Sequence, residues 1–222
     1  MKKNKTRKGD ASTRQLIINE AARLMYQEGV TQYYSAKHTA ARRVLSGGGK
    51  VVSIRNPSHL PSNGEIADAV DALADFYEGE YRTTQLFTMR LLALELMQQL
   101  TLFSPRLIGS VSTGRIKKSS DIDIHVFTDD IELLQQHIKT LGWHYTMGDV
   151  TITQSGRLKS YTHLYIEAQY PVELSVYANS EIRIRGRSST DGKPIVRMSA
   201  SGLIDVISDE HPQQWQHYLE HP

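Results

Sequence analysis

Two aspartates stand two residues apart inside an apolar run, Asp121-Ile122-Asp123-Ile124, ten residues after Leu107-Ile108-Gly109-Ser110. Side chains at i and i+2 of a strand share a face. The spacing therefore predicts a strand that sends Ile122 and Ile124 into a core and projects Asp121 and Asp123 together from the other side. Two adjacent carboxylates repel, and each raises the pKa of the other unless a cation lies between them. Mg²⁺ suits such a place, because it takes a few carboxylates together with substrate phosphates. The Gly-Ser turn offers backbone N–H groups and a hydroxyl to an anion, as other backbone nests do.

Ile108-Gly109-Ser110, ten residues (Val111 to Ser120), then Asp-Ile-Asp-Ile resembles the signature of the polymerase-β-like nucleotidyltransferase superfamily. The lead-in Ser119-Ser120-Asp121 is similar to the Ser-Asp-hydrophobic-Asp form of small bacterial members. The resemblance implies a metal-dependent enzyme that transfers a nucleoside monophosphate from an NTP, ATP foremost, to an acceptor, RNA or a small molecule, with release of pyrophosphate. It implies Mg²⁺ or Mn²⁺ on Asp121 and Asp123, and nucleotide binding by Gly109, Ser110 and Ser120. Arg115 and Lys118, between the turn and the aspartates, are expected on the triphosphate oxygens, with a solvated loop as the competing reading; Lys117 lies beside them.

The superfamily uses a third carboxylate on a neighbouring strand. Val172-Glu173-Leu174-Ser175-Val176-Tyr177 alternates, with valines and leucine on one face and Glu173, Ser175 and Tyr177 on the other. Thr162 to Ala168 reads as its hairpin partner and supplies a competitor, Glu167. The resemblance implies Glu173 as the third catalytic and metal-binding residue, because hydrophobic-acid-hydrophobic after a short turn is what the superfamily shows at that place. His125 shares a strand face with the aspartates and is expected as a packed or pocket-lining histidine. Arg183, Arg185 and Arg187 alternate, so a strand over 181–187 would make them a phosphate strip or a row of cross-strand ion pairs.

The remaining sequence sets bounds. No cysteine occurs, which excludes disulfides and thiol chemistry. A net charge of +2 does not by itself demand a nucleic-acid partner. No apolar run approaches membrane-spanning length, and the basic N-terminus lacks the apolar centre of a signal peptide. A cytoplasmic protein without a membrane partner is the expectation.

Three stretches are expected: a basic flexible tail over 1–10, a helical region over 11–102 and a nucleotidyltransferase domain over 103–222. The fold class is α+β, helices followed by a mixed sheet flanked by helices. In the helical region, Thr13-Arg14 through Glu20-Ala21-Ala22-Arg23-Leu24-Met25 resembles the first helix of TetR-type DNA-binding domains, but the turn and recognition helix do not follow. Helical region and aspartate motif together resemble an uncharacterised group of bacterial nucleotidyltransferase-domain proteins. Two rival functions remain open: a catalytically silent module of this fold that binds RNA or protein, and a pyrophosphokinase of the (p)ppGpp-synthetase type.

Overall fold

The computed structural model describes residues 3–46, 60–154, 157–188 and 190–221. It divides into two compact units, one of residues 1–79 with 188–193, the other of residues 80–187 with 194–222.

The first unit is helical. Helix α1 spans Lys3–Gln27, α2 spans Tyr33–Ser46, and α3 begins at Asn63. Helix α1 thus starts inside the basic segment read as a tail. Ile17, Ala21, Leu24 and Met25 of α1 bury against Ala36, Ala40 and Ala41 of α2 and Ile66 of α3. The alanines let the helix backbones approach closely. Helix α3 opens with a reciprocal cap: Ser62 Oγ accepts from Glu65 N at 3.2 Å, and the Glu65 carboxylate accepts from Ser62 N at 2.8 Å. Arg14 donates two bonds to the same carboxylate and holds its pKa down to about 2.

Helix α3 runs Asn63–Gln99, interrupted at Gly79, where φ is 49° and ψ is −130°. Few residues other than glycine tolerate that backbone conformation. The division of the chain falls at this glycine rather than near Leu102. The physical reason is that Leu86 to Leu100, read as part of the helical region, pack into the core of the second unit.

The second unit is built on a five-stranded mixed sheet, order β1-β2-β5-β4-β3. Its strands are β1 (Arg106–Ile108), β2 (Ile122–Phe127), β3 (Tyr145–Gln154), β4 (Arg157–Ile166) and β5 (Val172–Tyr177). Strands β2 and β5 pair parallel; the other neighbours pair antiparallel. Ile122, Ile124, Val126, Leu164, Ile166, Val172 and Leu174 form the buried face. Onto it pack the second half of α3, helix α5 (Ile131–Thr140) through Leu134 and Ile138, and helix α6 (Ala200–Glu210) through Leu203 and Ile207. Helix α7 (Pro212–Glu220) closes the chain. Asp130 caps α5 by accepting from Leu133 N at 3.0 Å, and Gly142, at φ 74°, follows its end.

One fully buried cation staples this unit. The Arg90 guanidinium donates to Val111 O at 3.2 Å and to Glu210 Oε2 at 2.7 Å, with His211 Nε2 at 3.2 Å. It joins α3 and the end of α6 to the short helix α4 (Gly109–Thr113) beside the motif. Arg90→Ala would leave the Val111 carbonyl unpaired and open a void. The expected cost is about 2–4 kcal/mol, read as a lower denaturant midpoint at unchanged m. Among the described residues no helix is long and apolar enough to cross a membrane.

Candidate active site

The two aspartates reach their place because β2 is the second strand of the sheet and pairs on both sides. Asp121 precedes the strand and Asp123 is its second residue. Register then fixes the neighbours. Asp123 stands opposite Ile108 of β1 and opposite Glu173 of β5, and Glu173 stands opposite Tyr165 of β4, itself opposite Thr146 of β3. These positions form one row across all five strands, with their side chains on the face away from the apolar core. Carboxylate oxygens of Asp121, Asp123 and Glu173 lie within 4.8 Å of one another. Glu167 lies beyond the strand end, outside this group.

The electrostatics of the cluster follow from its packing. Burial, then the charges of Asp121 and Glu173, push the Asp123 carboxyl up to about 7. An all-oxygen donor set that suffers from its own charge fits a hard cation such as Mg²⁺ or Mn²⁺. Asp121, Asp123 and Glu173 are the residues that could hold it. Glu173 has two further neighbours. Ser175 Oγ donates to Oε1 at 3.4 Å, and His163 Nδ1 lies 2.7 Å from the same oxygen, off the line of a hydrogen bond. His163 escaped the sequence reading. Its signal was there, since it alternates with Leu164 and so shares the face of Tyr165.

The raised Asp123 pKa gives a pH dependence. Between about 4 and 7 the native carboxyl keeps a proton that the unfolded chain has lost. The native state then binds more protons, so stability falls as pH rises through this window and stays low above it. A cation that binds the ionised cluster reverses the loss. In calorimetry with a chelator, the melting temperature should decline from pH 5 to pH 8. Adding Mg²⁺ should raise it more at pH 8 than at pH 5.5; an equal rise at both would count against metal binding by Asp123.

The Gly-Ser segment is a short helix, α4, rather than the simple turn read from the sequence. Gly109 has φ +72°, and a Cβ there would collide with Asp123 Oδ2 and lie 3.1 Å from its Cγ. Only glycine lets the backbone lie against the carboxylate. The Gly109 carbonyl accepts from Ser112 Oγ at 2.9 Å and from Thr113 Oγ1 at 3.2 Å, and Ser110 O accepts from Arg115 N at 3.0 Å. Ser120 is buried, and its Oγ accepts from Lys117 N at 3.0 Å, which closes the 117–120 turn before Asp121. Arg115 and Lys118 are exposed on the connection that leads into β2.

His125 is buried one turn of the pleat beyond Asp123. Its Nδ1 accepts from Arg197 Nε at 3.0 Å, and its ring lies 4.5 Å from that of Tyr177. Burial and the Arg197 charge push its pKa down to about 3. It is a packed neutral histidine. Arg197 also donates to the carbonyls of Glu181 and Ile182 and lies over the rings of Phe127 and Tyr177. These bonds hold the 179–187 segment as a 3-10 turn, Asn179–Glu181, followed by irregular chain. The strand expected over 181–187 does not form: the backbone of 181–184 bonds to itself and to Arg197, and Arg187 makes an isolated antiparallel bridge to Pro194. Arg183, Arg185 and Arg187 are exposed but share no strand face.

A cleft of about 370 Å³ opens beside the carboxylates, lined by Asp121, Thr146, Tyr165, Glu167, Pro171 and Glu173 among others. No family model matches the chain, and no curated protein matches it. Part of the chain is similar to two solved structures. One is a cytoplasmic RNA terminal U-transferase, 18% identical, covering 51% of this chain and 34% of that one, with a TM-score of 0.25. The other is the GLD-2/RNP-8 complex, 16% identical, covering 48% of this chain and 47% of that one, with a TM-score of 0.28. The chain thus spans about a third and about half of the two.

Proposed function

We propose that the protein is a metal-dependent nucleotidyltransferase of the polymerase-β-like type. The observation that carries this is the convergence of Asp121, Asp123 and Glu173 within 4.8 Å, against a glycine whose lack of a side chain lets α4 meet Asp123. Asp121, Asp123 and Glu173 would hold Mg²⁺ or Mn²⁺, which when bound offsets the negative charge of the triphosphate and of the leaving pyrophosphate. Gly109 and Ser110 present backbone and hydroxyl to the β- and γ-phosphates, and Arg115 and Lys118 add positive charge from the neighbouring connection. The Ser120 hydroxyl keeps its own proton for a phosphate oxygen while it closes the turn. Glu173 takes the proton from the acceptor hydroxyl. The acceptor oxygen then bonds to the α-phosphorus as the bond to the bridging oxygen breaks, and pyrophosphate leaves. Positioning and charge neutralisation supply most of the rate in such a reaction, so few side chains are needed.

Product analysis tests the reaction type. Incubation with Mg²⁺, a hydroxyl-bearing acceptor and each NTP in turn should release pyrophosphate with at least one of them. Release of AMP from ATP instead would assign pyrophosphate transfer. Nucleotide binding with neither product would leave a silent module of the same fold.

A further inference from the structure

The three carboxylates are not supported alike. Asp121 and Asp123 are short side chains from one strand and its lead-in. Glu173 reaches the cluster from β5 on a longer arm, and its terminal torsion is broad and soft. Fixing a glutamate costs more rotamer freedom than fixing an aspartate. A glutamate that must present one oxygen to a cation therefore needs something to hold the other.

His163 stands where that hold is needed. It lies on β4 opposite Ser175 of β5 and opposite Gly148 of β3, two residues along from Tyr165 and on the same face. Its Nδ1 comes within 2.7 Å of Glu173 Oε1, and the two side chains are only 14% and 25% exposed. Ser175 Oγ donates to the same oxygen at 3.4 Å. Gly148 puts no side chain beside the imidazole. Among the described residues the cation cluster is made of the three carboxylates without a nitrogen of His163. The ring thus stands behind Glu173 rather than on the cation.

Nδ1 is buried and makes no other hydrogen bond. Leaving such a nitrogen unpaired is costly, and Oε1 is the acceptor within reach. A ring nitrogen this close to a carboxylate oxygen carries a hydrogen, since its lone pair would otherwise face another. The χ2 torsion of histidine is broad, so a modest turn of the ring brings that N–H into line with Oε1.

We propose that His163 is the positioning residue of Glu173: with Ser175 it holds Oε1, so that Oε2 faces the cation and the acceptor hydroxyl. Outer partners of metal-binding carboxylates act in this way, and their loss costs about 10–100-fold in metal affinity or activity. The assignment rests on the nucleotidyl-transfer reading and adds a residue to its machinery.

The test follows binding of Mn²⁺ to the full chain, without nucleotide, by electron paramagnetic resonance of the free ion. His163→Phe keeps the ring volume and removes the nitrogen. His163→Asn returns an N–H donor near the place of Nδ1. The Kd for Mn²⁺ should rise by about tenfold or more in His163→Phe and return to within about threefold of the wild type in His163→Asn. In a Glu173→Gln background, His163→Phe should change Kd by less than about twofold, since the ring acts only through that carboxylate. A second readout uses the wild type alone. Adding Mg²⁺ should move the Nδ1 resonance of His163 in ¹⁵N NMR and leave that of His217, on α7, in place. Should His163→Phe not fold, this resonance decides.

A wild-type Kd in His163→Phe, no recovery in His163→Asn, the same loss in the Glu173→Gln background, or a His163 resonance indifferent to Mg²⁺ would overturn the positioning role. A wild type that binds no Mn²⁺ would instead overturn the metal site itself, and the role of His163 with it.

Discussion

Asp123→Asn is expected to abolish metal-dependent NTP turnover, by roughly 10³-fold or more, while making the metal-free protein more stable at pH 8. Both effects come from one carboxylate. Asp123 sits between Asp121 and Glu173, and burial with their charges raises its pKa to about 7. At pH 8 the native state must carry that charge without a counterion. Asparagine keeps the shape and removes the charge. The melting temperature with a chelator should therefore rise by roughly 5 °C, and the gain should shrink toward pH 5, where the aspartate is protonated in the native state. Turnover should vanish because an amide is a poor ligand for a hard cation and leaves the triphosphate charge unmatched. Sites that store repulsion for function often behave in this way. Equal turnover in variant and wild type would remove Asp123 from the mechanism. A lower melting temperature at pH 8 would show that the carboxylate is not strained.

Gly109→Ala is expected to cut turnover by roughly 10²-fold and destabilise the second unit by about 2–3 kcal/mol. The added methyl would occupy the place of the Asp123 carboxylate, 3.1 Å from its Cγ. The backbone at φ +72° also disfavours any residue with a Cβ. Either α4 retreats, and the phosphate side of the site opens, or Asp123 swings away from Asp121 and Glu173. A misplacement near 1 Å is enough for a loss of this size. Gly142→Ala is the control: φ is +74° there, but its Cβ would meet nothing within 4 Å. It should show the backbone cost of about 1 kcal/mol and full turnover. Were both variants to lose activity equally, the close approach at Gly109 would not be the cause.

The parts of this site legible in the sequence are those dictated by short-range periodicity. Strand β5 has the bounds that alternation suggested. Glu173 joins the aspartates while Glu167 does not, because Glu173 is in register with Asp123 and Glu167 lies past the strand end. What stayed hidden depends on contacts distant in the chain. Arg90 gave no sign of being buried, since its partners Val111 and Glu210 come from elsewhere in the sequence. The arginines over 183–187 alternate as a strand would, yet Arg197 takes the carbonyls of Glu181 and Ile182, and no ladder forms. The division of the chain at Gly79 was invisible because the helical pattern runs on both sides of it, and only packing tells which core each half serves.

The most direct test is a thermal-shift titration of the four NTPs, each with and without Mg²⁺ or Mn²⁺, on the wild type and on Asp121→Asn/Asp123→Asn. A ligand that binds only the native state raises its melting temperature. The account predicts a metal-dependent rise with at least one NTP in the wild type and none in the double variant. No rise with any NTP, or the same rise in both proteins, would contradict it.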